Sequence, residues 1–225
     1  LRRLGVELDF PSGQTCCGQP AFNAGFWSDA KPLARRFLRI FRDKPYIVTP
    51  SGSCASMVRV FYAELLRDEP ELLREADAIG PRVYELSEFI VGVLEMTDLA
   101  DLSADAEAAP ARKVTYHEAC HLRRELGVVT QPRTLIRSVP GAELVEMAQA
   151  EVCCGFGGST SLAAPALSHG VLDRKLDNVR ASGARVLLTD NPGCLLHLRG
   201  GHHVNSEDRD VLGEELGEGR ELSVG

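Results

Sequence analysis

The sequence predicts an α/β protein of two similar modules, each with a mainly parallel sheet flanked by helices. Two observations support this prediction. Short, branched apolar runs alternate along the chain with longer segments in which apolar residues recur at helical spacing. The triplet Cys-Cys-Gly also occurs twice, at residues 16–18 and 153–155, and a lone cysteine follows each triplet. Self-similarity of this kind indicates an internal repeat.

The predicted strands each lead into a cysteine. Residues 46–49 precede a turn that contains Cys54, and residues 186–189 precede a turn that contains Cys194. A further strand-like run, residues 113–117, comes just before Cys120. Short apolar runs that stop at glycine or proline turns are typical of buried strands. We therefore expect the strands to bring cysteines to their carboxyl ends.

Four segments show the apolar spacing of helices. Residues 29–42 carry Leu33, Phe37 and Ile40 on one face, and the segment around Leu172 and Leu176 repeats the pattern in the second half. Apolar residues between 58 and 66 and between 86 and 94 predict two more helices. Helices therefore connect the Cys-Cys-Gly turns to the strands and follow the lone cysteine of the first module.

The repeat sets the expected domain organisation and shows an asymmetry. We expect a first cysteine-rich module at 1–97, a linker at 98–110, a second module at 111–203 and a polar tail at 204–225. Cys120 precedes Cys153 by 33 residues, and its counterpart in the first module would lie upstream of residue 1. The first module is therefore expected to be N-terminally incomplete, without its opening strand and one cysteine.

Composition and charge exclude several function classes. The 225 residues carry a formal net charge of −7, which argues against nucleic-acid binding. No apolar run reaches the roughly 20 residues that a membrane span requires, and no secretory signal is recognisable. A cytoplasmic location is expected, and there clustered cysteines act as metal ligands or redox groups rather than as structural disulfides.

The cysteines are expected to bind metal. Adjacent cysteines rarely form a disulfide with each other, because the small ring would strain the intervening peptide. Four thiolates can hold either a [4Fe–4S] cluster or a zinc ion, and adjacent cysteines favour the wider cluster. Zinc and a metal-free dithiol remain alternatives, although no Cys-x-x-Cys motif is present. The predicted ligands are Cys16, Cys17, Cys54, Cys120, Cys153, Cys154 and Cys194.

Charged residues near Cys120 allow both functional and structural interpretations. His117 and His121 could hydrogen-bond a cluster or a substrate carboxylate, or they could simply pack at a strand end and a helix start. Arg123 and Arg124 could bind a carboxylate, but a solvated helix face is the simpler interpretation. No catalytic residue is predicted. No Gly-x-Gly-x-x-Gly follows a strand, so flavin or nicotinamide chemistry is expected on a partner.

These motifs resemble a known family. The doubled cysteine pattern is similar to the cysteine-rich domain of the heterodisulfide reductase B subunit, the glycolate oxidase iron–sulfur subunit and the anaerobic glycerol-3-phosphate dehydrogenase C subunit. The strings around each ligand look most like the lactate-utilisation protein A family, over about residues 1–200. Those strings are residues 14–23, 50–54, 117–121 and 190–194.

The resemblance implies a cytoplasmic iron–sulfur subunit that works with partner subunits in oxidation of L-lactate to pyruvate. It implies one [4Fe–4S] cluster in the second module and a further cluster in the first if a fourth ligand is supplied. Ser51 and Asn191 replace cysteines of the heterodisulfide reductase pattern, which favours a four-thiolate cluster over a double cluster. The alternatives are a glycolate oxidase or heterodisulfide reductase-like complex, or a zinc-stabilised interaction module without redox function.

Overall fold

A computed structural model describes residues 1–103 and 111–205. Part of the predicted linker, residues 104–110, and most of the predicted tail, residues 206–225, lie outside the described residues. The last described helix continues to Asn205, beyond Gly200, where the sequence predicts the end of helical periodicity. None of the helices in the described parts of the chain is both long and apolar enough to cross a membrane.

Residues 1–103 contain six helices and two strands, with single 3₁₀ turns at Arg2–Leu4, at Gly80–Arg82 and, within the predicted linker, at Ala100–Ser103. A π-helical stretch, Met57–Phe61, joins two of the helices into one continuous rod. The elements are α1 (Gln19–Asn23), α2 (Trp27–Phe41), β1 (Ile47–Thr49), α3 (Gly52–Ser56), α4 (Tyr62–Leu65), α5 (Pro70–Ile79), β2 (Val83–Glu85) and α6 (Leu86–Gly92).

The second module repeats the alternation of strands and helices within residues 111–205. Its elements are β3 (Arg112–His117), α7 (Cys120–Leu126), α8 (Thr130–Ser138), β4 (Ala142–Leu144), α9 (Thr160–Ala163), α10 (Pro165–Ala181), β5 (Val186–Thr189) and α11 (Pro192–Asn205). The long helix α10 stands where α2 stands in the first module, between the Cys-Cys-Gly turn and the strand that leads to the lone cysteine.

Both sheets are parallel, as the sequence predicts. In the first module β1 pairs with β2, with Ile47 opposite Val83. In the second module the strand order is β4-β3-β5, and His117 at the end of β3 lies opposite Thr189 at the end of β5. The carboxyl ends of β3 and β5 therefore meet at one sheet edge, where Cys120 and Cys194 follow. The α/β class with two helix-flanked parallel sheets is confirmed.

The two modules differ at the segment before each Cys-Cys-Gly turn. Residues 142–144 form β4 because β3 lies beside them and supplies hydrogen-bonding partners. The repeat-related residues 6–8 form no strand, and no described strand of the first module lies beside them. A strand needs a neighbour for its backbone groups, so equal sequence patterns give a strand in one module and an irregular segment in the other.

Separate apolar cores support the modules, and one side chain packs against both. The first core surrounds Leu38 and Tyr62, which are fully buried, and the second surrounds Leu172 and Leu176. Leu126 of α7 is partly buried against both cores. The helices α3 and α7 also pack closely, because a Cβ on Gly52 would lie 2.5 Å from Cβ of Leu122. The cysteine-bearing ends of the two modules therefore face one another.

Candidate metal centres

The two Cys-Cys-Gly turns have the same local geometry. Gly18 and Gly155 follow the cysteine pairs with φ of 91° and 94°, a left-handed conformation that glycine adopts without steric cost. In each turn the glycine N–H donates to the sulfur two residues earlier, at 3.4 Å to Cys16 and 3.3 Å to Cys153. The repeat is therefore conserved in three dimensions at the cysteine pairs.

The lone cysteines also occupy equivalent places. Cys54 and Cys194 are each the third residue of a helix, in α3 and α11, directly after strands β1 and β5. Ser51 caps the start of α3 by accepting from the N–H of Cys54 at 3.4 Å. Asn191, at the equivalent position before α11, donates from Nδ2 to Sγ of Cys194 at 3.5 Å. Cysteines near helix N-termini have lowered thiol pKa values and bind metals readily.

In the first module three thiols converge. Sγ of Cys17 lies 3.4 Å from Sγ of Cys54, and the Tyr62 hydroxyl donates to the Cys17 carbonyl at 2.9 Å. The hydrogen bond from the Cys17 thiol lowers the pKa of Cys16 to about 6 and that of Cys54 to about 7. The shared protons and burial raise the pKa of Cys17 itself. This site therefore presents three sulfur donors, one of them exposed at Cys16.

In the second module four cysteines from three segments converge. Cys120 begins α7 after β3, Cys153 and Cys154 stand in the loop before α9, and Cys194 lies in α11. The loop is held against the sheet by the N–H of Glu118, which donates to the carbonyl of Ala150 at 3.2 Å. The sequence-predicted ligands of this module therefore lie together at the edge where β3 and β5 end.

Hydrogen bonding among these thiols divides them into donors and acceptors. The Cys120 thiol lowers the pKa of Cys153 to about 2, and the Cys154 thiol lowers the pKa of Cys194 to about 5. The donating thiols have raised pKa values, because their protons are held by sulfur neighbours and because they are desolvated. The lowered pKa values of Cys153 and Cys194 favour the thiolate, which is the form that binds a metal.

A histidine completes this group. His117, fully buried at the end of β3, has a ring nitrogen within 4.8 Å of the sulfurs of Cys154 and Cys194, and these two sulfurs are equally close to each other. Neither ring nitrogen has a hydrogen-bond partner in the described part of the chain. A buried polar group without a partner is costly, so the imidazole is available to a metal-bound ligand. The sequence left its role open, and only its position three residues before Cys120 pointed to the site.

The neighbouring charged residues are used structurally. Arg123 forms an ion pair with the buried carboxylate of Glu118, and Arg133 contacts the same carboxylate at 2.6 Å. His121 stacks edge-on against Phe61 of the first module, with ring centroids 5.7 Å apart. The guanidinium of Arg123 is therefore engaged with a carboxylate of the protein itself rather than only with solvent.

The two centres contact one another through polar side chains. Oγ of Ser53 donates to Oδ1 of Asn191 at 3.1 Å, and Oγ of Ser51 lies 3.4 Å from the same oxygen. The N–H of Gly52 donates to the carbonyl of Asp190 at 3.0 Å. Ser51 and Asn191 are the residues that stand in place of cysteines of the heterodisulfide reductase pattern, and the other residues of this contact are their neighbours. The replaced positions form a buried bridge between the modules.

Comparison with known proteins agrees with this geometry. The cysteine-rich domain (CCG) family matches residues 1–59 and 114–199, which include all seven cysteines. The chain belongs to this CCG family. Lactate utilization protein A 2 of Bacillus cereus (strain 03BB102) is 37% identical over 212 residues, covering 94% of this chain and 85% of the relative. Lactate utilization protein A of Bacillus licheniformis is 42% identical over 200 residues, covering 89% and 81%.

The CCG match confirms the resemblance seen in the sequence. It falls in two segments, one in each module, which supports the internal repeat. Within the lactate utilization protein A relatives the alignment extends over nearly the whole chain. The CCG family membership and the clustered cysteines together support a metal-binding role.

Proposed function

We propose that this chain is the iron–sulfur electron-transfer subunit of a cytoplasmic multi-subunit oxidoreductase that oxidises L-lactate to pyruvate. The observation that carries the proposal is the convergence of four cysteines from three segments in the second module. The names of the relatives supply the substrate. The four-sulfur donor set fits a [4Fe–4S] cluster by number and by ligand chemistry.

The residues of the second module would perform three tasks toward such a cluster. Cys120, Cys153, Cys154 and Cys194 would hold it. The N–H groups of Gly155 and of the Asn191 side chain already point at the sulfurs of Cys153 and Cys194. Hydrogen bonds to ligand sulfur stabilise negative charge and so raise the reduction potential. Burial of Cys154 and Cys194, each about 95% or more removed from solvent, excludes water from the site.

The first module offers a smaller donor set. Cys16, Cys17 and Cys54 are the cysteines of this site within residues 1–103, and a four-iron cluster there needs a fourth donor. The same Cys-Cys-Gly geometry supports a cluster in this module once that donor is supplied. We therefore include Cys16, Cys17 and Cys54 among the proposed ligands.

The chemistry of lactate oxidation determines which step this chain performs and which step its partner subunits perform. Oxidation of lactate to pyruvate removes two electrons and two protons, whereas an iron–sulfur cluster accepts one electron at a time and no hydride. The organic oxidation is therefore assigned to partner subunits, and this chain receives the electrons. We propose that the other subunits of a lactate-oxidising complex bind it for this purpose.

Metal analysis tests the proposal. Protein purified without oxygen is expected to contain iron and acid-labile sulfide in equal amounts and to be brown. Cys154→Ser should remove the iron of the second module, whereas Cys17→Ser, its repeat-related control, should spare that iron. A colourless protein with one equivalent of zinc would instead establish the zinc-stabilised interaction module. Iron content unchanged by Cys154→Ser would show that the ligand assignment is wrong.

A second measurement addresses the substrate. With its partner subunits present, the cluster of this chain should be reduced by L-lactate, and the reduction can be followed as loss of visible absorbance. Reduction by glycolate and not by lactate would move the assignment to a glycolate oxidase. Reduction by neither compound would remove this chain from 2-hydroxy acid oxidation.

A further inference from the structure

Lys175 is a fully buried cation on the helix that backs the second cysteine pair. It lies in α10 and is 1% exposed, on the same face as the core residues Leu172 and Leu176. Lysine is almost never fully buried unless its charge is paired, because desolvating an ammonium is costly. A residue in this position therefore requires a compensating partner.

The contacts of Lys175 lead to the cysteine loop. Its Nζ donates to the carbonyl of Gln149 at 2.5 Å and to that of Ala150 at 3.2 Å. These two residues stand just before Cys153, and Gln149 has a left-handed backbone with φ of 55°. Both acceptors are neutral, and among residues 1–103 and 111–205 no carboxylate forms an ion pair with Lys175. The hydrogen-bonding capacity of the Lys175 ammonium is thus partly satisfied, but no carboxylate of the described residues balances its positive charge.

The anionic groups that act on Lys175 are few. Burial lowers its pKa, while Glu151, Cys154, Cys153 and Glu118 act in the opposite direction. Glu151 is exposed to solvent, and the Glu118 carboxylate is already shared by two arginines. The groups that remain to balance the ammonium are the sulfurs of the cysteine pair, of which Cys154 is buried and Cys153 is partly buried.

The first module shows that the fold itself does not require a cation here. A Cβ on Gly18 would meet the carbonyl of Ala30 in α2, and a Cβ on Gly155 would meet the carbonyl of Ser168 in α10. Ala30 therefore corresponds to Ser168 when the two helices are superimposed. In this register Phe37 takes the place of Lys175. Phe37 packs against Phe41 with ring centroids 4.6 Å apart. An apolar residue therefore serves the packing role, and the lysine is specific to the second centre.

We propose that the Lys175 ammonium is the buried counter-charge of the metal-bound thiolates of Cys153 and Cys154. This inference rests on the proposed function, in which the second module holds an anionic iron–sulfur cluster. Metal-bound thiolates keep their negative charge, and a fixed cation in a low-dielectric surrounding stabilises it. One-electron reduction makes the cluster more negative, so the ammonium favours the reduced form and raises the reduction potential. Lys175 is thus a positioning and tuning residue, not a catalytic one.

The test compares Lys175→Met with Arg174→Met in the full chain. Methionine keeps the apolar stem of lysine and removes the charge, and Arg174 is an exposed cation on the same helix. The potential of the cluster that Cys154→Ser removes is measured by an anaerobic redox titration followed by electron paramagnetic resonance. Lys175→Met should make reduction at least tenfold less favourable, a shift of about 59 mV to more negative values. Arg174→Met should change it less.

A second readout separates charge from packing. Unfolding by urea is compared for metal-free and metal-loaded protein. Lys175→Met should destabilise the loaded form more than the metal-free form, because metal binding increases the number of thiolates beside the ammonium. Equal destabilisation of both forms, or an unchanged potential, would overturn the proposal. Zinc in place of iron would contradict the proposed function and leave this stability comparison decisive. A wild-type chain that binds neither iron nor zinc would overturn both the proposed function and the inference about Lys175.

Discussion

Replacing Gly155 by alanine tests how tightly the second Cys-Cys-Gly turn is built. Gly155 has φ of 94°, and an added Cβ would lie 2.5 Å from the carbonyl oxygen of Ser168 and 3.2 Å from Cβ of Val171. Because the first neighbour is backbone in the long helix α10, it cannot rotate away. The Ser168 hydroxyl also donates to the Gly155 carbonyl at 2.9 Å, which fixes the turn against the helix. Alanine therefore forces the turn and the helix apart.

Two other glycines provide graded controls for this substitution. Gly183 has φ of 68° and open space around its Cβ position, so alanine there meets only the backbone preference, about 1 kcal/mol. Gly18, the repeat-related position, would place a Cβ 3.2 Å from the carbonyl of Ala30, which is tight but tolerable. At Gly155 steric overlap adds roughly 2 kcal/mol to the backbone preference, for a total of about 3 kcal/mol. The destabilisation caused by alanine is therefore expected to increase from Gly183 to Gly18 to Gly155.

The assay is thermal and urea unfolding of the metal-free reduced protein, followed by metal analysis of the loaded protein. For a chain of this size about 1 kcal/mol corresponds to roughly 2–4 °C in Tm, so Gly155→Ala should lower Tm by roughly 6–12 °C. Its iron loss should be confined to the second centre. A Gly155→Ala protein as stable as Gly183→Ala would refute the reasoning, because the overlap with the helix would then have no cost.

Two further substitutions test buried polar groups of the second module. His117→Phe should reduce the iron retained by the second centre, because phenylalanine cannot donate a hydrogen bond to a metal-bound sulfur. His121→Phe should retain iron. Equal iron loss in both variants would assign His117 a packing role only. Burial raises the pKa of Asp190 to about 7. Between about pH 4 and pH 7 the carboxyl of the folded protein therefore holds a proton that the carboxyl of the unfolded protein has released. The free energy of unfolding falls as pH rises through this range, by up to about 1.4 kcal/mol per pH unit. Asp190→Asn should remove that slope in urea unfolding of the metal-free protein, and parallel pH profiles for the two proteins would contradict the assignment.

Much of the fold follows from local patterns in the chain. The runs at 47–49, 112–117 and 186–189 form strands because branched apolar residues favour strands and because each run has a strand neighbour. The helix around Leu38 follows its apolar spacing equally well. The cysteine positions in the centres also follow, since a lone cysteine after a buried strand arrives at the sheet edge.

Other elements depend on tertiary contacts that no local pattern contains. Strand β2 was not predicted, because its residues Val83–Glu85 do not form an apolar run, and it exists because β1 lies beside it. The segment after Cys54 was predicted as one regular helix, but a π-helical stretch at Met57–Phe61 interrupts it. Glu85 is buried because its carboxylate caps α6 by accepting from the N–H groups of Ser87 and Glu88. A carboxylate that caps a helix inside the protein looks like a surface residue in the sequence.

The candidate site was predictable in its sulfurs and not in its charges. Adjacent cysteines and the repeat are visible in the sequence, so the ligand set could be proposed from it. The position of Lys175 behind Cys153 could not, because it depends on the packing of α10 against a loop more than 20 residues earlier. The orientation of His117 toward Cys194 likewise depends on β3 and β5 being neighbours.

The contact between Ser51 and Asn191 bears on the ancestry of the chain. These residues hold the same place in the two modules, and a contact between equivalent positions is the mark of a two-fold axis. Pro192 has no N–H, so the bond from Gly52 to the Asp190 carbonyl has no reciprocal, and the symmetry is approximate. A gene that encoded one module, whose product paired with itself, would yield this arrangement after duplication and fusion. Such a fusion would let the two faces diverge, and here one face carries Ser51 and the other Asn191.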